Sequence, residues 1–308
     1  MESISVSRLV FLWWNTGLTP PVPDTKLKAT AEDREFAVAQ IKAMRCGLDF
    51  GILGLCEVQT SDLDAIMGGL DDPNLRRIDK TDRSKKQKFD IALIYDETRV
   101  RHVDSLSFVE QFGKYNFRLG EMETFVITGT NVIVRVVSSH WPSRRNWHEK
   151  APERTHLGSL LSNSLAEMRK DPDAFLVLMG DYNDDPCSPS LSEYLLATRD
   201  RELARRDHRF FYNPFWRRLG ESLPSPVATG DSSICGTHYY RGGSHTEWFT
   251  YDQIIFTSAF LNRPDVILEE ELTQIVATPE LTARVRSRNV CDHFPVTSTV
   301  KLKMRSIS

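Results

Sequence analysis

The chain has 308 residues, 40% of them hydrophobic and 26% charged, with a formal net charge of −3 and an isoelectric point near 6.3. That balance excludes a protein that coats duplex nucleic acid by bulk charge, since such domains usually have a pI above about 9, but it leaves room for a local basic groove. The five cysteines (Cys46, Cys56, Cys187, Cys235 and Cys291) are scattered and form no C-x-x-C pair, which reads as free thiols in a reducing compartment.

Val6–Trp14 reads as the first strand. Its apolar part, Leu9–Trp14, is too short for a membrane helix or for a signal peptide's apolar core, so a cytoplasmic protein without a membrane span is expected. Ala31–Arg45 has helical spacing at Phe36, Val38, Ile41 and Met44, with Glu32, Asp33 and Glu35 in the first turn, where the helix dipole favours acids. Gly51–Cys56 is a short apolar run closed by Glu57, and Ser61–Met67 reads as a short helix. Phe89–Tyr95, Val100–Phe108, Thr124–Ile127 and Val132–Val137 read as strands. Pro152–Met168 reads as a helix with proline in its first turn. Ala174–Met179 is a buried strand, Leu191–Arg218 a helix broken at Asn213–Pro214, and residues 219–235 a long loop. Thr250–Phe256 and Val296–Leu302 are the last strands expected. Strands outnumber helices and do not alternate strictly with them, which favours mixed sheets with covering helices. No linker divides the chain, so residues 1–308 are expected to form one domain.

The run AFLVLMGDYNDDP at 174–186 carries the most chemistry. Asp181 and Asn183 follow the strand at a spacing of two, which puts both side chains on one face of an extended chain. That strand end is where α/β sheets usually place ligands. Other apolar runs also end in polar residues: Asn15 after Trp14, Glu57 after Cys56, and His140 after Val132–Ser139. Asp252 lies within Thr250–Phe256, and Asp292 and His293 precede Val296. Acids, amides and imidazoles at so many strand ends point to metal-assisted hydrolysis of a phosphate ester. Such cleavage needs an activated water and positive charge on the non-bridging oxygens, which a carboxylate-held cation and an acid-held imidazole supply.

In this order the pieces Trp14-Asn15, Leu55-Cys56-Glu57, Ser139-His140-Trp141, Gly180-Asp181-Tyr182-Asn183, Tyr251-Asp252-Gln253-Ile254 and Asp292-His293 resemble the endonuclease/exonuclease/phosphatase superfamily, the deoxyribonuclease-I-like fold. The resemblance runs from about Leu9 to Val300. It implies an α/β (α+β) four-layer sandwich, two mixed β-sheets packed face to face with helices outside. It implies Mg²⁺ or Mn²⁺ on Glu57 with help from Asn15 and Asp292. It further implies that Asp181 positions or deprotonates the attacking water and that Asn183 holds a phosphate oxygen. His293, oriented by Asp252, would stabilise the transition state, and His140 would contact the phosphate or assist the leaving group. Two positions depart from the pattern: Gly17 stands where a second acid is common, and Cys291 where a serine is common.

The residue types leave competing readings to weigh. Asp181-x-Asn183-x-Asp185 looks like the opening of a calcium loop, but Pro186 occupies the position that needs glycine; Asp184 and Asp185 read as turn residues. The other histidines have no zinc-ligand spacing. The basic run Arg76, Arg77, Lys80, Arg83, Lys85, Lys86 and Lys88 is a solvated loop or a rim that steers phosphates. Arg144, Arg145, Trp141, Tyr240 and Arg241 are candidate substrate contacts, with Trp147, Tyr239 and Trp248 in the same aromatic rim. The expected activity is that of a metal-dependent phosphodiesterase, a nuclease acting on DNA before RNA. The alternative is the same chemistry on a nucleotide, small-molecule or lipid phosphate, and a non-catalytic binding module ranks below both.

Overall fold

The computed structural model describes residues 4–21, 29–82, 90–112, 115–144, 148–149, 151–220, 234–243, 245–287 and 290–305. The chain opens with β1 (Ile4–Asn15), α1 (Ala31–Leu48), β2 (Ile52–Cys56), α2 (Thr60–Leu70), β3 (Leu75–Asp79) and β4 (Ala92–Asp96). There follow β5 (Val100–Phe112), β6 (Tyr115–Ile127), β7 (Ile133–His140), α3 (Pro152–Ser164), α4 (Ala166–Arg169) and β8 (Phe175–Asp181). Then come β9 (Ala197–Thr198), α5 (Arg201–Arg206), β10 (Phe211–Tyr212), β11 (His238–Tyr239), β12 (Trp248–Phe249) and β13 (Asp252–Thr257). The last elements are α6 (Ala259–Asn262), β14 (Val266–Ile275), α7 (Pro279–Ser287) and β15 (Val296–Arg305).

Among the described residues the strands form a six-stranded sheet ordered β14-β15-β1-β2-β4-β3, a seven-stranded sheet ordered β5-β6-β7-β8-β13-β10-β9, and the hairpin β11-β12. Both large sheets are mixed: β1 pairs parallel with β2 and antiparallel with β15, and β8 pairs parallel with β7 and antiparallel with β13. The period-two alternation of strands sorts their side chains into layers. Leu9, Phe11 and Trp13 of β1 meet Val177 and Met179 of β8 and Ile254 and Phe256 of β13 in one core between the sheets. The alternate residues Val10, Leu12 and Trp14 face outward onto Ala37, Ile41 and Met44 of α1 and Leu63 and Ile66 of α2. On the far side, Val137, Leu176 and Leu178 pack against Leu157 and Leu161 of α3. Two sheets face to face with helices outside is the sandwich expected.

Local chemistry sets the ends of α1. Thr30 Oγ1 accepts from the Asp33 amide while Asp33 accepts from the Thr30 amide, a closed capping box. The sequence reading differs from the structure at the C-terminal half. Leu191–Arg218 is not a broken helix but short pieces: a π-helical turn at Ser190–Tyr194, β9, α5, β10 and a 3₁₀ turn at Pro214–Arg218. Its apolar residues are pinned into two different cores, Phe211 beside α3 and Phe215 between the sheets, so no single helical face exists. β3, β14 and α7 carry little sequence signal, because their charged outward residues mask the apolar spacing. Most of the expected loop at 219–235 and most of the basic run after Lys80 fall outside the described residues.

Candidate active site

The site is the polar continuation of the inter-sheet core. The inward row Leu9, Phe11, Trp13 of β1 ends in Asn15; the row Phe175, Val177, Met179 of β8 ends in Asp181; the row Phe256, Ile254 of β13 ends in Asp252; and the row Val134, Val136 of β7 ends in His140. Register then makes these ends neighbours. His140 is the parallel partner of Asp181, Asp252 its antiparallel partner, and Asn15 lies beside Cys56, one residue before Glu57. Directly opposed side chains stand about 4.5–5.5 Å apart at their Cβ atoms. One edge of the sandwich thus gathers carboxylates, an amide and imidazoles. Gly180 lets β7 and β8 approach there, since a Cβ on it would sit 2.3 Å from the Ser139 carbonyl oxygen.

Asn15 ties the two sheets together. Its Nδ2 donates to Asp181 Oδ2 at 2.9 Å and lies 3.3 Å from Glu57 Oε1, while its Oδ1 accepts from the Gly17 amide at 3.0 Å. Gly17 has φ 62°, and a Cβ there would lie 3.2 Å from the Cys291 nitrogen. An acid at that position would be strained and crowded, which accounts for glycine where the resemblance leads one to expect a second carboxylate. Glu57, Asn183 and Cys291 also have φ between 52° and 67°. Left-handed backbone at non-glycine residues is uncommon and clusters at functional sites.

Two acid–imidazole pairs flank Asp181. His293 Nδ1 is 2.7 Å from Asp252 Oδ2, and the indole of Trp13 donates to Asp252 Oδ1 at 3.1 Å. Trp14 donates to the His293 carbonyl at 2.9 Å. On the other side His140 Nδ1 is 2.7 Å from Asp90 Oδ2, with its Nε2 3.7 Å from Glu57 and 3.9 Å from Asp181. Arg118 lies behind this pair, 3.8 Å from Asp90. Burial opposes the charged form of both imidazoles. For His293 the charges of Asp252 and Asp181 and the Asp252 hydrogen bond outweigh burial and hold it well above the usual histidine range. For His140 the charge and hydrogen bond of Asp90 outweigh burial, and its pKa rises to about 9. Burial also pushes the Glu57 carboxyl up to about 7; the His140 charge opposes this and the negative charge of Asp292 adds to it.

That crowding decides which residues can hold a metal. Glu57 is a buried carboxyl under the negative charge of Asp292 and Asp90, a cost that a cation removes. Carboxylate oxygens suit a hard divalent ion, and Glu57 and Asp292 supply them; Asn15 turns its Nδ2 toward Glu57 and Asp181 and its Oδ1 toward the Gly17 amide, so its oxygen is already engaged. Among the described residues the groups of three or more His, Cys, Asp or Glu whose donor atoms lie within 4.8 Å of one another are His238, Asp292 and His293, and Asp181, Asp252 and His293.

The remaining expected residues divide. Asn183 Nδ2 donates to the Trp141 carbonyl at 2.9 Å and its amide to Asp181 Oδ1 at 2.8 Å, so it braces the turn beside Asp181. Arg144 is 3.1 Å from the Asn183 carbonyl, reaches Asp184 and Asp185, and stacks over Tyr251 and Phe249. It is a strut across the site's floor. Trp141 requires a correction: it is fully buried, with its ring at right angles to Tyr182, so its side chain belongs to the core and cannot stack on a ligand. Tyr240 and Arg241 are exposed at the end of β11. Arg145 and Trp147 lie outside the described residues. Asp184 is no ordinary turn residue; it is buried against Arg154 at 3.3 Å and Ser190 at 2.6 Å. The described part of the basic run is paired: Arg76 with Glu97, Arg77 with Asp64, Lys80 with Glu123.

The structure adds Asp90, Arg118 and His238 to the site. Asp90 opens the strand-like run FDIALIY, and because β4 is antiparallel to β2 its entry lies at the edge where β2 exits; a search of strand entries as well as exits finds it. Arg118 sits mid-strand and has no sequence signal. His238 stacks on His293 with ring centroids 4.4 Å apart, and its Nδ1 is 3.2 Å from the Asp292 carbonyl. Burial, followed by the neighbouring His293 charge, presses its pKa down to about 4.

The model of the Endonuclease/Exonuclease/phosphatase family matches residues 36–300. No curated protein matches. Among solved structures, the human Nocturnin catalytic domain with bound sulfate aligns at 15% identity and TM-score 0.60, over 96% of this chain and 97% of that one. A mannosyl-6-phosphatase of Bacteroides thetaiotaomicron aligns at 15% identity and TM-score 0.59, over 95% and 99%. D. rerio TDP2 in complex with a single-strand DNA product aligns at 14% identity and TM-score 0.59, over 96% and 99%. At these identities the likeness is one of fold.

Proposed function

Because this chain belongs to the Endonuclease/Exonuclease/phosphatase family, a family of phosphoester hydrolases, we propose that it is a divalent-metal-dependent phosphodiesterase, a nuclease that hydrolyses DNA before RNA. One observation carries the reading: Asp181 lies between two acid-held imidazoles, His140–Asp90 and His293–Asp252, and faces Asn15 and Glu57 from the opposite sheet. In this reading Asp181 accepts the proton of the attacking water, which Asn15 keeps it oriented to do. His293, held charged by Asp252, donates to the phosphoryl oxygen as negative charge grows there. His140, held charged by Asp90, neutralises the opposite oxygen or protonates the leaving group. Asn183 fixes the Asp181 turn and offers its amide edge to the phosphate. Glu57 and Asp292, with Asn15 once its oxygen leaves the Gly17 amide, would hold Mg²⁺ or Mn²⁺, which would supply charge neutralisation on the phosphate. Tyr240 and Arg241 offer a base-stacking and phosphate-binding rim. The free state of all five cysteines fits a cytoplasmic location, and no helix among the described residues is long and apolar enough to cross a membrane.

DNA as ligand is supported by the TDP2 product complex among the structural neighbours. A small phosphate ester is supported by the mannosyl-6-phosphatase and by a net charge of only −3 with no strongly basic face required. The discriminating experiment incubates the protein with Mg²⁺ or Mn²⁺, with and without EDTA, on single- and double-stranded DNA, RNA, sugar phosphates and phospholipids. Metal-dependent shortening of the oligonucleotides is expected. Release of phosphate from the small esters alone transfers the chemistry to the second reading, and no turnover on any of them contradicts both.

A further inference from the structure

We propose that His238, His293 and Asp292 form a second metal site, sharing the Asp292 carboxylate with the Mg²⁺ or Mn²⁺ position of the proposed function and selective for a borderline transition ion such as Zn²⁺. Their donor atoms lie within 4.8 Å of one another. Both imidazoles are set up as metal ligands from behind. Nδ1 of His238 faces the Asp292 carbonyl at 3.2 Å, and Nδ1 of His293 faces the Asp252 carboxylate at 2.7 Å. Metal-ligating histidines characteristically donate one ring N–H to a carbonyl or carboxylate, which fixes the tautomer and directs the other nitrogen at the ion. Both of these contacts engage Nδ1, which leaves Nε2 of each ring as the nitrogen to offer. The backbone bridge between His238 and His293 holds the two rings together, so the pair is assembled before any ion arrives.

The donor set decides the class of ion. Two imidazole nitrogens and one carboxylate suit Zn²⁺, Co²⁺ or Ni²⁺, whereas Mg²⁺ prefers oxygen. The competing group, Asp181 with Asp252 and His293, is a poorer site. Asp252 already accepts from Trp13 and pairs with His293, and Asp181 already accepts from Asn15 and the Asn183 amide. An ion at His238 takes the place of a proton on Nε2 of His293 and removes the donor that the nuclease reading needs. Only this consequence, inhibition of Mg²⁺-supported turnover by Zn²⁺, rests on that reading.

The test is calorimetric titration of the full chain with Zn²⁺, and with Co²⁺ followed by visible absorption, for wild type, His238→Phe and His238→Asn, each checked by thermal melting. His238→Phe keeps a ring on His293 and loses the ligand; His238→Asn keeps a polar group. Both should weaken Zn²⁺ binding by about 10–100-fold or more, the scale on which even outer-shell partners of a metal-bound histidine act, and remove the His238-dependent part of the Co²⁺ spectrum. Equal Zn²⁺ affinity in wild type and both folded variants overturns the site, as does a wild type that binds no Zn²⁺. Turnover with Mg²⁺, measured on the same preparations, separates the two readings: zinc binding without turnover leaves this site standing and removes the nuclease.

Discussion

Glu57 shows how a residue can be unfavourable for the fold and still suit a ligand. Its carboxyl is pushed from 4.5 to about 7 by burial and by Asp292 and Asp90, against the opposing charge of His140. An acid whose folded pKa is raised costs stability that grows as pH rises from the unfolded value through the folded one. Glu57→Gln should therefore stabilise the metal-free protein at pH 8 by about 1–3 kcal/mol, one pKa unit being about 1.4 kcal/mol. The same change should abolish the rise in melting temperature that added Mn²⁺ gives the wild type; thermal melts with and without Mn²⁺ measure both. His140 works in the opposite sense. Its pKa rises from 6.5 to about 9, so its pairing with Asp90 contributes fully below about pH 6.5 and is lost as pH rises through 9. Metal-free wild type should lose melting temperature across that window, and Asp90→Asn should flatten the loss. An unchanged slope in the variant would contradict the His140–Asp90 assignment.

At the scale of the element, β1, β7, β8 and β13 each carry an apolar inner row that ends in one candidate site residue. Much of the candidate site is legible in sequence for this reason: Asn15, Asp181 and Asp252 stand two residues from Trp13, Met179 and Ile254, His140 continues the row of Val134 and Val136, and Glu57 follows Cys56 directly, positions that need only the period-two pattern and a polar residue. What stayed hidden depends on pairing. Asp90 precedes β4, and the antiparallel register of β4 on β2 brings it to the edge where Glu57 leaves β2. Trp141 follows His140 in sequence and was expected on the rim, but its alternation partner row faces α3, so it is buried. Trp13 was readable as core, yet its indole N–H crosses the sandwich to Asp252, a contact no local pattern encodes. Trp13→Phe keeps the ring and removes that donor. Hydrogen bonds to charged groups are worth about 1.5–3 kcal/mol, so turnover should fall by about tenfold or more with KM little changed, as steady-state kinetics will show.

At the scale of the whole molecule, the two sheets contribute different halves of the candidate site. The six-stranded sheet and its outgoing loop supply Asn15 and Glu57, the seven-stranded sheet supplies His140, Asp181 and Asp252, and the segment before β15 returns Asp292 and His293 to the first sheet's edge. The halves meet where the shared core of Phe11, Trp13, Met179 and Ile254 ends. We propose that residues 1–308 act as one unit because the site needs both sheets in register. Side chains at this edge add little to the core, so their removal should cost activity and leave the fold. The most direct measurement is therefore the turnover number of Asp181→Ala against wild type at saturating Mn²⁺, on a phosphodiester that the wild type cleaves, with both proteins shown to have the same circular dichroism. A fall of about a hundredfold or more, the scale of a lost general base, is the predicted result. Wild-type turnover in the folded variant would contradict the account.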